Sequence, residues 1–130
     1  MIVLLKKDAN LKIFSNHGFY PIHIAALYNN YEIIEILHKE GADLNVKDND
    51  KCTPLMLASK KGHKDTVVTL LDLGAKLYLR DHRLWTALHY ASFNGRNNVV
   101  KLLCEYDDDF DKLKHMKNSQ NKYALDLTKK

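Results

Sequence analysis

Apolar and polar positions fall along this chain in blocks that recur every 33 residues. A short block rich in branched and small side chains comes first: Tyr20-Pro21-Ile22-His23-Ile24-Ala25-Ala26, then Thr53-Pro54-Leu55-Met56-Leu57-Ala58-Ser59, then Thr86-Ala87-Leu88-His89-Tyr90-Ala91-Ser92. Each is followed by a turn residue, Asn29, Gly62 or Gly95, and then by an apolar run that ends at Leu37, Leu71 or Leu103. Polar and charged stretches, 45–52 and 78–85, separate one pair of blocks from the next. The pattern predicts pairs of helices joined by a turn, with extended fingers between the pairs. A fixed period of this length marks a solenoid whose stacked units share a continuous core.

Local chemistry says where the helices start and stop. Thr53 and Thr86 stand as hydroxyl N-caps, and Pro21 and Pro54 take the first helical position, where a missing N–H costs nothing. Ala25-Ala26, Ala58-Ser59 and Ala91-Ser92 let successive first helices approach closely. The bulkier runs Ile33-Ile34-Ile36-Leu37, Val67-Leu70-Leu71 and Val99-Val100-Leu102-Leu103 give each second helix its apolar face, so the stack is expected to curve. Gly62 and Gly95 permit a left-handed turn between helices, and Asn29 is the other residue type that tolerates one.

The first two units close with Gly41-Ala42-Asp43-Leu44-Asn45 and Gly74-Ala75-Lys76-Leu77-Tyr78. Motif, period and internal glycines together resemble the ankyrin repeat. That resemblance implies an all-α ankyrin-repeat solenoid of stacked helix-turn-helix units joined by hairpin-like fingers. It covers nearly the whole chain as a single domain, 1–130, with a partial unit at 1–14 and full units at 15–47, 48–80 and 81–113. A lengthened connection is expected within 107–121, because Tyr123-Ala124-Leu125-Asp126-Leu127-Thr128 in the partial unit 118–130 comes four residues later than the period would place it. Both ends read as cut from a longer array.

The chain also departs from the pattern. Tyr20 replaces the capping hydroxyl, Ala87 the proline and Met56 the histidine of the motif; Lys51 and Leu84 stand where ankyrin fingers commonly carry glycine, so those tips are expected to be strained or reshaped. Asp107-Asp108 replaces the Gly-Ala pair of the third unit and puts the geometry after Tyr106 in doubt.

Composition narrows the function. The net charge of +4 resides in the tail, since residues 112–130 hold six Lys and one Asp while residues 1–111 are nearly balanced. A basic stripe with interleaved aromatics is missing, which argues against nucleic acid. No apolar run approaches the ~20 residues needed to cross a bilayer, and the opening Met-Ile-Val-Leu-Leu is too short for a signal peptide. No membrane insertion is expected, and a cytoplasmic or nuclear location is. Cys52 and Cys104 fall a full unit apart and are expected to stay reduced.

The seven histidines include no metal-ligand spacing, and His23 and His89 fall at the position where, in the family, the imidazole ties neighbouring turns. The acidic run Asp107-Asp108-Asp109-Phe110-Asp111 lacks the alternating ligands of a calcium loop. Neither a nucleophile elbow nor a phosphate loop is present. No metal, no cofactor and no catalysis are expected. Asn45, preceded by Asp43-Leu44 and eight residues after Leu37, resembles ankyrin asparagines modified by an asparaginyl hydroxylase. Bracing of the finger by its amide is the favoured reading.

Ankyrin-like stacks bind through finger tips and the inner face of the first helices. The resemblance places Phe14, Asn16, His17, Phe19, Leu27 and Tyr28 there from the first unit, and Lys47, Asn49, Asp50, Cys52, Lys60 and Lys61 from the second. Arg80, His82, Arg83, Trp85, Phe93 and Asn94 follow from the third. From these, Phe19, Tyr28, Lys47, Lys60, Lys61, Arg80, Arg83, Trp85, Phe93 and Asn94 are the candidate partner-binding residues. Trp85 and Phe93 are expected as anchors, each with packing against the adjoining finger as the alternative, and the cations as steering groups. The implied partner is a protein with an acidic segment and apolar anchors. Three roles follow: an interaction scaffold first, a regulatory segment docking in cis on a larger enzyme or channel second, and nucleic-acid binding by the basic tail third.

Overall fold

The computed structural model describes residues 16–109 and 111–128. Phe14 and the partial unit 1–14 lie outside the described residues. Six α-helices follow in order: α1 (Pro21–Leu27), α2 (Tyr31–Lys39), α3 (Pro54–Lys61), α4 (Lys64–Asp72), α5 (Ala87–Phe93) and α6 (Asn97–Tyr106). Two 3-10 turns, Leu113–His115 and Ala124–Leu127, complete the described chain. No strand occurs among the described residues.

The helices form two layers. The first helices α1, α3 and α5 pack in a row, the second helices α2, α4 and α6 in another, and each first helix packs on the second helix of its own unit. Ala26, Ala58, Ser59, Ala91 and Ser92 are buried along the first row, where small side chains let backbones come close. Ile34, Leu37, Val67, Leu70, Val99 and Leu103 are buried along the second. Each of those large side chains contributes about 1.5–3 kcal/mol on leaving water.

Thr53 and Thr86 cap α3 and α5 by accepting from the N–H groups of Met56 and His89, at 3.3 Å each. Tyr20 supplies no side-chain cap to α1. Between the helices of each unit the chain turns through the left-handed region at Asn29 (φ 59°), Gly62 (φ 76°) and Gly95 (φ 69°). That turn brings two buried faces together within two or three residues.

The fingers are built by a recurring carboxylate or amide. Asp48 Oδ1 accepts the N–H groups of Asp50 and Cys52, Asp81 Oδ1 those of Arg83 and Trp85, and Asn118 Oδ1 those of Gln120 and Lys122. Each finger tip is left-handed, at Lys51 (φ 65°), Leu84 (φ 62°) and Asn121 (φ 64°), as at Gly18 (φ 71°). Lys51 and Leu84 therefore keep the shape glycine would adopt, at a cost of about 1–2 kcal/mol each for a residue with a Cβ. Single backbone bonds lace the fingers together: Asn49 N–H to His17 O, His82 N–H to Asp50 O and Ser119 N–H to Arg83 O, at 2.8–3.1 Å.

After α6 the path departs from the first two units. Asp107 is extended (φ −77°, ψ 108°), whereas Gly41 and Gly74 have φ near 100°. Its carboxylate accepts from the Tyr78 hydroxyl at 2.6 Å, from Leu113 N–H at 2.8 Å and from Asp109 N–H at 3.1 Å. Partial burial works against ionisation there, but these donors outweigh it and hold the Asp107 carboxyl below the usual carboxylate range. Leu113 is fully buried on the inserted turn, and the finger geometry resumes at Asn118.

Candidate functional site

Where the fingers meet the first-helix layer, two adjoining grooves open. The first, about 400 Å³, has apolar walls at Phe19, Leu27 and Leu57, with His17, Asp50 and His82 on the finger side. The second, about 410 Å³, lies between Trp85, Phe93 and Asn94. Lys60, Arg83 and Tyr90 line both. Lys61 joins the first groove only, and Asn94 closes the second, its amide donating to Tyr90 O at 2.8 Å.

The candidates divide on this geometry. Phe19, Lys60, Lys61, Arg83, Trp85, Phe93 and Asn94 all line one or both grooves. Tyr28, Lys47 and Arg80 are exposed but line neither. Cys52 lines the first groove from below and is buried.

Trp85 packs against α5 and does not project from the finger. It is only 7% exposed, with its ring against His89, Tyr90 and Phe93 and the Arg83 guanidinium 4.3 Å above it. Its place one residue before the α5 cap turns the indole toward the core, so it forms a floor and Phe93, 40% exposed, forms the accessible wall.

Beneath Arg83 lies a buried polar cluster. The Tyr90 hydroxyl donates to Asp81 Oδ2, and the Arg83 guanidinium sits 4.0 Å from that oxygen and donates to the Tyr90 hydroxyl at 3.2 Å. Cys52 Sγ is 3.4 Å from the same hydroxyl. Burial pushes the Cys52 thiol up to about 12, so it is a poor nucleophile at neutral pH. Burial followed by the bond to Asp81 raises the Tyr90 phenol as well. The cluster fixes Arg83 in place instead of supplying a reactive group.

The histidines act as struts. His23 Nδ1 accepts from Tyr20 N–H at 3.0 Å and its Nε2–H donates to Cys52 O at 2.9 Å. His89 repeats this with Thr86 N–H and Lys122 O, both at 3.0 Å. Burial lowers the pKa of both rings and keeps them neutral. His63 and Arg96, one period apart, reach back to the last carbonyls of the preceding first helices, Leu27 O at 2.9 Å and Lys60 O at 3.0 Å. Among the described residues no three His, Cys, Asp or Glu are grouped to hold a metal ion, and Cys52 and Cys104 are free thiols. No described helix is long and apolar enough to cross a membrane. The Asn45 amide ties its finger to the next unit, its Oδ1 accepting Lys76 N–H at 2.9 Å.

Tyr90, Asp81 and Arg96 are the residues that sequence reasoning missed. Tyr90 falls one period after Leu57 and two after Ile24, so a hydroxyl among aliphatic residues was the available signal. Asp81 lies one period after Asp48.

Two rows of short helices, left-handed turns and laced fingers define a helical repeat scaffold. A profile of ankyrin repeats in three copies matches residues 22–114. The chain belongs to the ankyrin-repeat family, whose domains are generally protein–protein interaction modules and typically non-catalytic. No curated protein matches the chain as a relative.

Proposed function

We propose that this chain is a scaffold that binds a protein partner through the finger tips and the inner face of its first helices, and that the partner presents an acidic segment with apolar anchors. The observation that carries the reading is the pair of grooves sharing Lys60 and Arg83, with Phe93 as an accessible aromatic wall. Lys60 and Lys61 make no ion pair with the described residues, so an approaching anion meets cations that are not already neutralised. Aromatic and guanidinium groups with limited freedom supply contact area at a modest entropic cost. Free thiols without metal-ligand spacing suit the reducing cytoplasm or nucleus.

The test compares capture of partners by the wild type, by a Lys60→Glu, Phe93→Ser variant and by Lys101→Glu on α6, each with its Tm verified. Loss of a partner by the groove variant alone is the expected result. Loss on Lys101→Glu with retention by the groove variant overturns the reading and moves the interface to the second-helix layer.

A further inference from the structure

We infer that the paired grooves take an extended peptide in which one Asp or Glu is flanked, two residues to either side, by apolar side chains. This deepens the inner-face reading and rests on it.

The residues common to both grooves set the centre. Lys60, Arg83 and Tyr90 line both grooves. Arg83 is held by the Trp85 ring at 4.3 Å and by the Tyr90 hydroxyl, yet its side chain stays 47% exposed. A guanidinium locked on one side and open on the other loses little freedom on accepting a carboxylate. Asp81 offsets part of its charge from below, and Lys60, without an ion pair among the described residues, leaves the rim with an excess of positive charge. An acidic side chain is therefore favoured at the shared rim.

The flanks are apolar for different reasons. On one side Phe93 and the edge of Trp85 offer an aromatic slot with no carboxylate in its lining. On the other, Phe19, Leu27 and Leu57 offer an aliphatic and aromatic floor, but Asp50 is exposed on its finger wall. Asp48 and Asp50 together outweigh Lys61 in that lining, so a second acid is disfavoured and an apolar side chain is the suitable occupant. In an extended chain residues i−2, i and i+2 share one face, so a single acid over the rim sends its two same-face neighbours into the two grooves.

The probe is a synthetic peptide, Ser-Leu-Ser-Glu-Ser-Phe-Ser, titrated against the whole chain and followed by the emission of Trp85, its single tryptophan. Its isomer Ser-Ser-Leu-Glu-Phe-Ser-Ser has the same composition with the three groups on alternating faces. Expected results are saturable binding, at least tenfold weaker for the isomer, and about tenfold weaker when Glu is replaced by Gln or when the protein carries Lys60→Glu. Equal binding of the two isomers, insensitivity to Glu→Gln, or no binding of either peptide overturns the inference. If the peptides fail while the Lys60→Glu, Phe93→Ser protein still loses its captured partner, the motif is wrong and the inner-face reading stands. If that protein keeps its partner as well, both fall.

Discussion

The junctions between successive units are built to one plan but not with the same parts. At the first, His23 links the start of α1 to Cys52 O, and at the third, His89 links the start of α5 to Lys122 O. In both places the carbonyl accepts twice, the second bond coming from the finger's own Asp48 or Asn118 N–H. At the middle junction Met56 occupies the histidine's place, and Trp85 O accepts Asp81 N–H without a histidine donor. What compensates is the cluster of Asp81, Tyr90, Arg83 and Cys52, which occurs only at this junction among those described. A repeat can lose its buried strut and be held from the groove side instead. The replacement places a fixed arginine at the surface, so the irregular junction is also the one that carries the candidate site.

Removing the compensation should have the largest effect. Asp81 is 2% exposed and receives two backbone N–H groups and the Tyr90 hydroxyl, so Asp81→Ala strands three donors beside Arg83. A loss of about 3 kcal/mol is expected in chemical denaturation, against about 1 kcal/mol for Asp48→Ala in the more exposed finger. Equal losses would show that the middle junction does not depend on its cluster.

Acid distinguishes the histidine junctions from the middle one. Burial lowers the pKa of His23 and His89 below the unfolded value of 6.5. Below that pH the unfolded chain binds protons that the folded chain refuses, so stability is fully present above about 6.5 and falls as pH drops toward the folded values. The slope has a ceiling of about 1.4 kcal/mol per pH unit for each ring. His23→Met should remove one ring's share of it, as read from denaturation midpoints between pH 7 and 5. An unchanged slope would place the acid sensitivity elsewhere.

The smallest effect should come from making the middle junction like its neighbours. Met56→His puts an imidazole one period from His23 and His89, where the repeat register makes Thr53 N–H and Trp85 O the counterparts of Thr86 N–H and Lys122 O. A gain of about 1 kcal/mol is expected from the added bond. A loss of that size would mean that the packed Met56 thioether matters more than the missing strut.

Much of this was legible in the chain because the signals were periodic. Helix starts at Pro21 and Pro54, hydroxyl caps at Thr53 and Thr86, and left-handed turns at Asn29, Gly62 and Gly95 are local events, dictated by what one residue's backbone and side chain can do. The site was legible only in outline. Phe19, Lys60, Arg83 and Phe93 could be assigned to the groove side by register, but register alone did not tell whether Trp85 projects or packs.

The sequence by itself therefore determined the repeat, its fold and the face on which aromatic and basic residues collect, since each follows from spacing and local propensity. The tertiary structure alone decided that Trp85 becomes a floor, that Asp81 and Tyr90 join beneath Arg83, and that two grooves share one cationic rim. Those outcomes depend on groups 4 to 38 positions apart meeting in one closely packed space.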